Sequence, residues 1–262
     1  HHKALAADVP VEDWLSQSEI DKKRKKLEED PIKWIKYFFP KYAKYEFAPF
    51  HVRAIKRVIE HDEWYEVLSW SRELAKSTVA MFICMYLALT KRKRFFVLAS
   101  ATIDSAKRLL APYKINFESN PRIRQFYGSQ VTLGQWTDGE FTAKCGAKFV
   151  ALGAGSAPRG ARNEEVRPDV IYMDDYDTDE DCRNPETLKK KWDWFEASLY
   201  PTRSISEPTL ILWCGNIIAK DCCIKKAGAK ARHWDIVNIR DKDGHSTWPA
   251  KNTEEQIDTV LS

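Results

Sequence analysis

No two cysteines in this sequence are spaced C-x-x-C, and the adjacent pair Cys222–Cys223 has no matching second pair. The six cysteines are scattered, so neither a disulfide framework nor a zinc site is expected, and reduced thiols fit a cytosolic setting. Long apolar runs are missing too. The longest, Val79–Leu89, falls short of the about 18 residues that a membrane span needs. No secretory signal is visible, so a soluble, intracellular protein is expected. The net charge is only +4, which excludes a global basic field as a reason to expect a nucleic-acid partner; any such surface must be local.

What is present is ample material for a core. The 262 residues include 10 Trp, 10 Tyr and 12 Phe, enough for one large α/β domain or two small ones. The chain is arranged around Trp64–Leu89, WYEVLSWSRELAKSTVAMFICMYLAL. An apolar strand (Trp64–Trp70), a polar turn ending in Lys-Ser-Thr and an apolar helix without glycine or proline make the layout of a nucleotide-phosphate loop. In that reading Lys76 brings a point charge to the β- and γ-phosphates. Ser77 places a hydroxyl on Mg²⁺, with Thr78 as its substitute, and the N–H groups of the turn hold phosphate oxygens. The match to G-x-x-x-x-G-K-[ST] is incomplete, because Trp70 and Ala75 stand at the two glycine positions. Taken alone, the turn reads better as an ordinary helix N-terminus with Ser71 as N-cap and Glu73 in the first turn.

The rest of the chain supplies context. Residues 1–45 read as helical, with a second helix starting at Pro31, and Phe47–His61 as a helix with Pro49 in its first turn. Phe50 and His51 either stack on and hydrogen-bond an adenine or simply pack a helix N-terminus, the latter being the default. Phe95–Ala99 and Thr102–Glu118 add a strand and a helix, and this βαβ spacing implies parallel strands with crossover helices. Glu140–Cys145 and Lys148–Leu152 read as a hairpin. Glycine-rich Gly153–Asp169 reads as an exposed loop carrying Arg159, Arg162 and Arg167. Val170–Met173 is a buried strand that delivers Asp174 and Asp175 at its C-terminal end, the edge where parallel sheets bind ligands. A carboxylate there, opposite a phosphate-loop hydroxyl, is a Mg²⁺ holder, and its neighbour can polarise an attacking water. An EF-hand over Asp175–Glu186 is excluded, because Glu180 occupies the position that needs glycine. Asn184 caps a helix that runs to Leu199. Thr209–Trp213 is a further strand, ending in Cys214-Gly215-Asn216, where Asn216 either senses a γ-phosphate or marks a plain exit. His233–Arg240 is one more strand, and Thr253–Leu261 reads as a helix cut short.

As an ordered set, FAPFH, SRELAKST, APRGARNEEVRPDVIYMDD, DEDCRNPETLKKKWDWFEASLYP and LWCGN resemble the ATPase domain of the large terminase subunit, the DNA-packaging motor of tailed bacteriophages and related viruses, over roughly residues 30–250. The resemblance implies a P-loop NTPase of the ASCE type, RecA- and terminase-like: an α/β fold with a mostly parallel central sheet flanked by helices. It divides the chain into an N-terminal helical segment packing on the core (1–60), the ATPase core (61–240) and the start of a linker or lid (241–262). The family's C-terminal RNase H-like nuclease is not within these residues, so DNA cleavage by them is not expected.

Residue by residue, the resemblance implies that Lys76 and Ser77 bind phosphates and Mg²⁺. Arg72 reaches the phosphates from the same turn, with Ser71, Glu73, Leu74, Ala75 and Thr78 completing the loop, and Phe50 and His51, in the stretch resembling the family's adenine-side segment, would bind the nucleotide. Asp174 would hold Mg²⁺ through water. Asp175, where many relatives carry glutamate, would be the catalytic carboxylate, with Asp177 and Glu180 in reserve. Arg159 and Arg162 match the loop that offers an arginine finger to the neighbouring subunit, and Gly215-Asn216 the motif coupling hydrolysis to movement. The implied cofactors are ATP and Mg²⁺. The implied partners are double-stranded DNA, the portal protein, the small terminase subunit and further copies of the chain in a homo-oligomeric ring, expected to be a pentamer, on the procapsid. The implied setting is the host cytoplasm, away from membranes. Two rival readings are a helicase-like nucleic-acid ATPase and a nucleotide-binding scaffold module that does not hydrolyse.

Overall fold

A computed structural model describes residues 1–158 and 166–261. Its centre is a seven-stranded sheet made of β1 (Trp64–Trp70), β2 (Phe95–Ser100), β3 (Glu140–Thr142), β4 (Lys148–Gly153), β5 (Val170–Asp174), β6 (Leu210–Cys214) and β7 (His233–Val237). The spatial order is β3-β4-β2-β5-β6-β1-β7. The short β3 runs antiparallel to β4, as the hairpin reading expects, and the other pairings are all parallel. Parallel strands are covered on both faces and so read as continuous apolar runs. Here β2, β5 and β6 are buried along their whole length.

Side chains alternate between two cores. Leu68, Trp70, Phe96, Leu98, Tyr172 and Leu212 point to one face. Val67, Val97, Ala99, Ile171, Met173 and Trp213 point to the other. The first face is filled by α5 (Lys76–Leu89), which is apolar all round, as a helix enclosed on every side must be. Around it pack α3 (Pro31–Phe38), α4 (Pro49–Ile59) and α6 (Ile103–Ser119). The second face takes α9 (Pro185–Trp194), whose end runs on as a π-type turn, Phe195–Leu199, and α10 (Cys223–Lys230).

A buried carboxylate joins α4 to the sheet. Glu66, in β1, is fully buried and accepts from Arg57 at 2.5 Å and from the Trp64 indole at 2.7 Å, with the His233 ring 3.0 Å away. A buried charge persists only when paired in this way. The basic run Lys91–Arg94 follows the C-terminal end of α5. Buried Lys93 donates to the carbonyls of Asp62 and Pro208 at 2.8 and 2.7 Å.

Most elements fall within a few residues of their sequence-based bounds. Besides the short α8 (Asp179–Arg183), two helices were not legible. One is α7 (Pro121–Tyr127), started by the Asn120 side chain, which accepts from the N–H groups of Arg122 and Ile123. The other is α10, which contains Gly228 and has no side-chain cap of its own. Among the described residues no helix is long and apolar enough to cross a membrane.

Candidate nucleotide site

Of three neighbouring strands, β5 and β6 end level with one another and β1 runs two residues further. Leu68 of β1 and Asp174 of β5 both pair with Cys214 of β6, which lies between those two strands. The loops after these three strands therefore open on the same sheet edge and enclose a cleft of about 1020 Å³. The cleft is bordered by Arg72, Lys76 and Ser77 from the first loop, Asp174 and Asp175 from the second, and Gly215 and Asn216 from the third. Residues that are 98 or more positions apart in sequence, such as Lys76 and Asp174, are brought together by parallel topology alone.

The first loop has an unusual backbone. Glu73 and Ala75 carry φ angles of 69° and 60°, in the left-handed region that normally selects glycine. Ala75 stands at the second glycine position of the motif and does what glycine would do, at a steric cost of about 1–2 kcal/mol. Trp70, at the first, is the last residue of β1 and is wholly buried, its ring packed edge-on against Phe50 and His51. The chain thus makes the turn without either glycine.

Lys76 opens α5 and is nine-tenths buried; its ammonium donates to the Asn216 side-chain oxygen at 3.2 Å. Asp174 is 4 % exposed and accepts a hydrogen bond from the Tyr172 hydroxyl, while its Oδ1 is buried with no partner among the described residues. Burial pushes its carboxyl up to about 6, the Ser77 and Tyr172 hydroxyls oppose the rise, and the neighbouring Asp175 adds to it. A buried, unpartnered carboxylate oxygen beside a phosphate-loop serine is the donor set that a Mg²⁺ ion on a triphosphate would complete. The residues fit that ion. Among the described residues no group of three or more His, Cys, Asp or Glu side chains could hold a metal unaided, so phosphate oxygens and water would supply the remaining ligands.

Asp175 is exposed, with φ 42°, and its side chain stands at the cleft. The two reserve carboxylates fare differently. Asp177 borders the cleft but accepts from the backbone N–H groups of Cys223 and Ile224 at 2.8 and 2.9 Å, so it is the missing cap of α10. Glu180 lies exposed in α8 (Asp179–Arg183) and does not border the cleft.

Other expected site residues divide in the same way. Glu73, Ala75 and Thr78 border the cleft, whereas Leu74 is buried beneath it and the Ser71 N–H is tied to the Val237 carbonyl at 2.8 Å. The adenine contact expected of Phe50 and His51 is corrected. Both are buried behind the loop, and neither borders the cleft. The His51 Nδ1 accepts from the Ala48 N–H, which leaves Nε2–H to donate to the Leu74 carbonyl at 3.0 Å. Burial lowers its pKa to about 4, so the ring is neutral. Packing at the start of α4, the default reading, accounts for both residues. Arg159 and Arg162 lie outside the described residues.

Sequence reasoning passed over two residues that border the cleft, Arg108 and Lys251, and one buried beneath it, Tyr172. Arg108, on α6, borders the cleft and bonds Ser105 at 3.0 Å. Tyr172 lies two residues before Asp174 on the same strand face, a period-two signal that was available. Lys251 reaches the cleft from the far end of the chain and donates to the Glu73 carbonyl and carboxylate at 2.7 and 2.8 Å, which no local pattern announces.

No family model matches the sequence, and no curated protein matches it. Among solved structures, the HK97 bacteriophage large terminase aligns over 79% of this chain at 15% identity with a TM-score of 0.53, and this chain spans 43% of its length. A large terminase ATPase domain from a Thermus phage aligns over 85% of this chain and 91% of its own, at 13% identity and a TM-score of 0.49. The S. cerevisiae dbp5 structure aligns over 81% of this chain and 52% of its own, at 10% identity and a TM-score of 0.48. In fold, this chain is an α/β domain with a mostly parallel seven-stranded sheet flanked by helices, similar to the HK97 phage large terminase.

Proposed function

We propose that this chain is the ATPase motor domain of a viral large terminase, hydrolysing ATP to drive double-stranded DNA into a procapsid. The observation that carries the proposal is the convergence of Lys76, Ser77 and Asp174, one of whose carboxylate oxygens has no partner among the described residues, in one cleft at the C-terminal edge of a parallel sheet. Lys76 would bind the β- and γ-phosphates, Arg72 would reach them from the same loop, and the N–H groups of the turn and of the start of α5 would hold their oxygens. Ser77 and Asp174 would hold Mg²⁺, which when bound neutralises charge on the phosphate oxygens. Asp175, exposed at the cleft, would orient the attacking water. Asn216, bonded to Lys76, would carry the phosphate state into the loop after β6, with Gly215 leaving room for that loop to shift.

Arg159 or Arg162 would serve the neighbouring subunit's nucleotide in a homo-oligomeric, pentameric ring. Such an arginine is typically worth about 10³–10⁵ in rate, so the isolated monomer would turn over slowly. Portal protein and small terminase subunit would be its partners on the procapsid, and its grip on DNA would be to phosphates, independent of sequence and strongly salt-dependent.

The test is nucleotide binding and ATP turnover, with and without DNA and portal, for the wild type and Lys76→Ala. Loss of binding in the variant and stimulation of the wild type by DNA and portal are expected. Binding unchanged by Lys76→Ala would remove the cleft from the reading, and binding without hydrolysis in the assembled motor would favour a scaffold module.

A further inference from the structure

We propose that the segment Ser246–Asn252 is a clasp that holds the glycine-free phosphate loop in its nucleotide-ready shape, with Lys251 and His51 as positioning residues bridged by Trp248. The role in nucleotide binding rests on the phosphate-loop reading above; the clasp itself does not.

Two consecutive carbonyls of the loop are held from outside. Lys251 donates to the carbonyl of Glu73 at 2.7 Å, and His51 to that of Leu74 at 3.0 Å. These are the carbonyls of a loop in which Glu73 and Ala75 both adopt left-handed φ. A glycine-rich loop takes that backbone freely; a loop with side chains there tends to leave it unless neighbours over-determine it. Lys251 also pairs with the Glu73 carboxylate at 2.8 Å, fixing the side chain as well as the carbonyl of the same residue.

The two supports are joined. The Trp248 ring is 6 % exposed and lies edge-on to His51, with centroids 4.5 Å apart, while its indole N–H donates to the Glu46 carbonyl at 2.7 Å. Trp248 therefore anchors the segment to the chain just before α4 and presses on the ring that holds Leu74. The segment is also closed on itself. The Ser246 hydroxyl donates to the Asn252 carbonyl at 2.7 Å, and the Ser246 N–H to Glu254 at 2.6 Å. Lys251 thus projects from a built turn and not from a loose tail. The Lys251 ammonium also lies over the Trp248 ring, 5.2 Å from its centroid, a cation–π contact that helps hold the charge beside the loop. No nucleotide contact is needed to assign this role. Lys251 is near the cleft, but its ammonium is spent on Glu73.

The test is a double-mutant cycle between Lys251→Met and Ala75→Gly in the full chain. Lys251 does not bond Ala75, so coupling between the two must travel through the loop backbone. Two quantities are read: amide hydrogen exchange of residues 72–76 without nucleotide, and the affinity for MgADP. Lys251→Met is expected to speed loop exchange and weaken MgADP binding, each by about tenfold, the loss of a charge-assisted hydrogen bond. Global melting should change little. In the Ala75→Gly background both effects should shrink several-fold, because glycine adopts the loop conformation without the clasp. Wild-type exchange and affinity in Lys251→Met would overturn the clasp, as would an undiminished penalty in the glycine background. If the wild type binds no MgADP but the exchange pattern is as expected, the clasp stands and the nucleotide reading falls.

Discussion

The Lys76 ammonium lies 3.2 Å from the side-chain oxygen of Asn216, so the loop after β1 and the loop after β6 share one hydrogen bond across 140 residues of sequence. A phosphate in the cleft would compete with Asn216 for that ammonium, and whatever fills the cleft is thereby reported to β6. Asn216→Ala is expected to lower ATP turnover by about tenfold while leaving the nucleotide Kd within a factor of two or so. Gly215→Ala should leave melting nearly unchanged, because the added Cβ meets only the movable tip of Ile224, at 2.9 Å. Equal losses of affinity and turnover in Asn216→Ala would show that it merely holds Lys76.

Asp174 supplies a pH dependence of definite sign. Its folded value, about 6, lies above the ordinary 3.8, so the folded chain binds this proton more readily than the unfolded one. Its contribution to stability is full below 3.8 and is lost as pH rises through 6. In divalent-free buffer, the wild type should gain on the order of 1 kcal/mol relative to Asp174→Asn on going from pH 7.5 to 5. Mg²⁺ affinity should fall over the same step, because the ion must displace the proton. Parallel melting curves for the two proteins would contradict this.

His51 acts with the opposite sign. Its folded value, about 4, lies below the ordinary 6.5, so protonation favours the unfolded chain. The stability it contributes is full above 6.5 and is lost as pH falls toward 4, to a limit of about 3 kcal/mol. His51→Gln should flatten this acid limb in chemical denaturation. Both the wild type and the variant are needed at each pH, since Asp174 opposes His51 between pH 4 and 6.

The acidic run after β5 separates catalysis from architecture. Asp175→Asn is expected to cut turnover by about 10²-fold or more with nucleotide binding and melting retained. Asp177→Ala should instead cost about 1–2 kcal/mol of stability, because it uncaps α10 at the N–H groups of Cys223 and Ile224. Denaturation and steady-state ATPase assays on the two variants check the division, and a stable but inactive Asp177→Ala would reverse it.

The strands and their order along the chain were legible because buried parallel strands are continuous apolar runs; β2 and β5 each end on a polar residue, and β1 runs into a polar turn. Helix α10 was not legible, because its cap, Asp177, comes from 46 positions earlier. Phe50 and His51 carried a polar and an aromatic group to the right neighbourhood, but sequence adjacency does not say which side of a loop a side chain faces. Here they lie behind it, against Trp70.

By itself the sequence determined that an ammonium and a hydroxyl follow one strand and a pair of carboxylates another, because strand periodicity and chain order are local properties. Tertiary structure decided the rest. It set β6 between those strands, buried one carboxylate and exposed its neighbour, turned Asp177 into a cap, and brought Lys251 back onto Glu73. Each of these depends on contacts between residues far apart in the chain, where burial and backbone hydrogen bonding, not residue type, fix what a side chain is free to do.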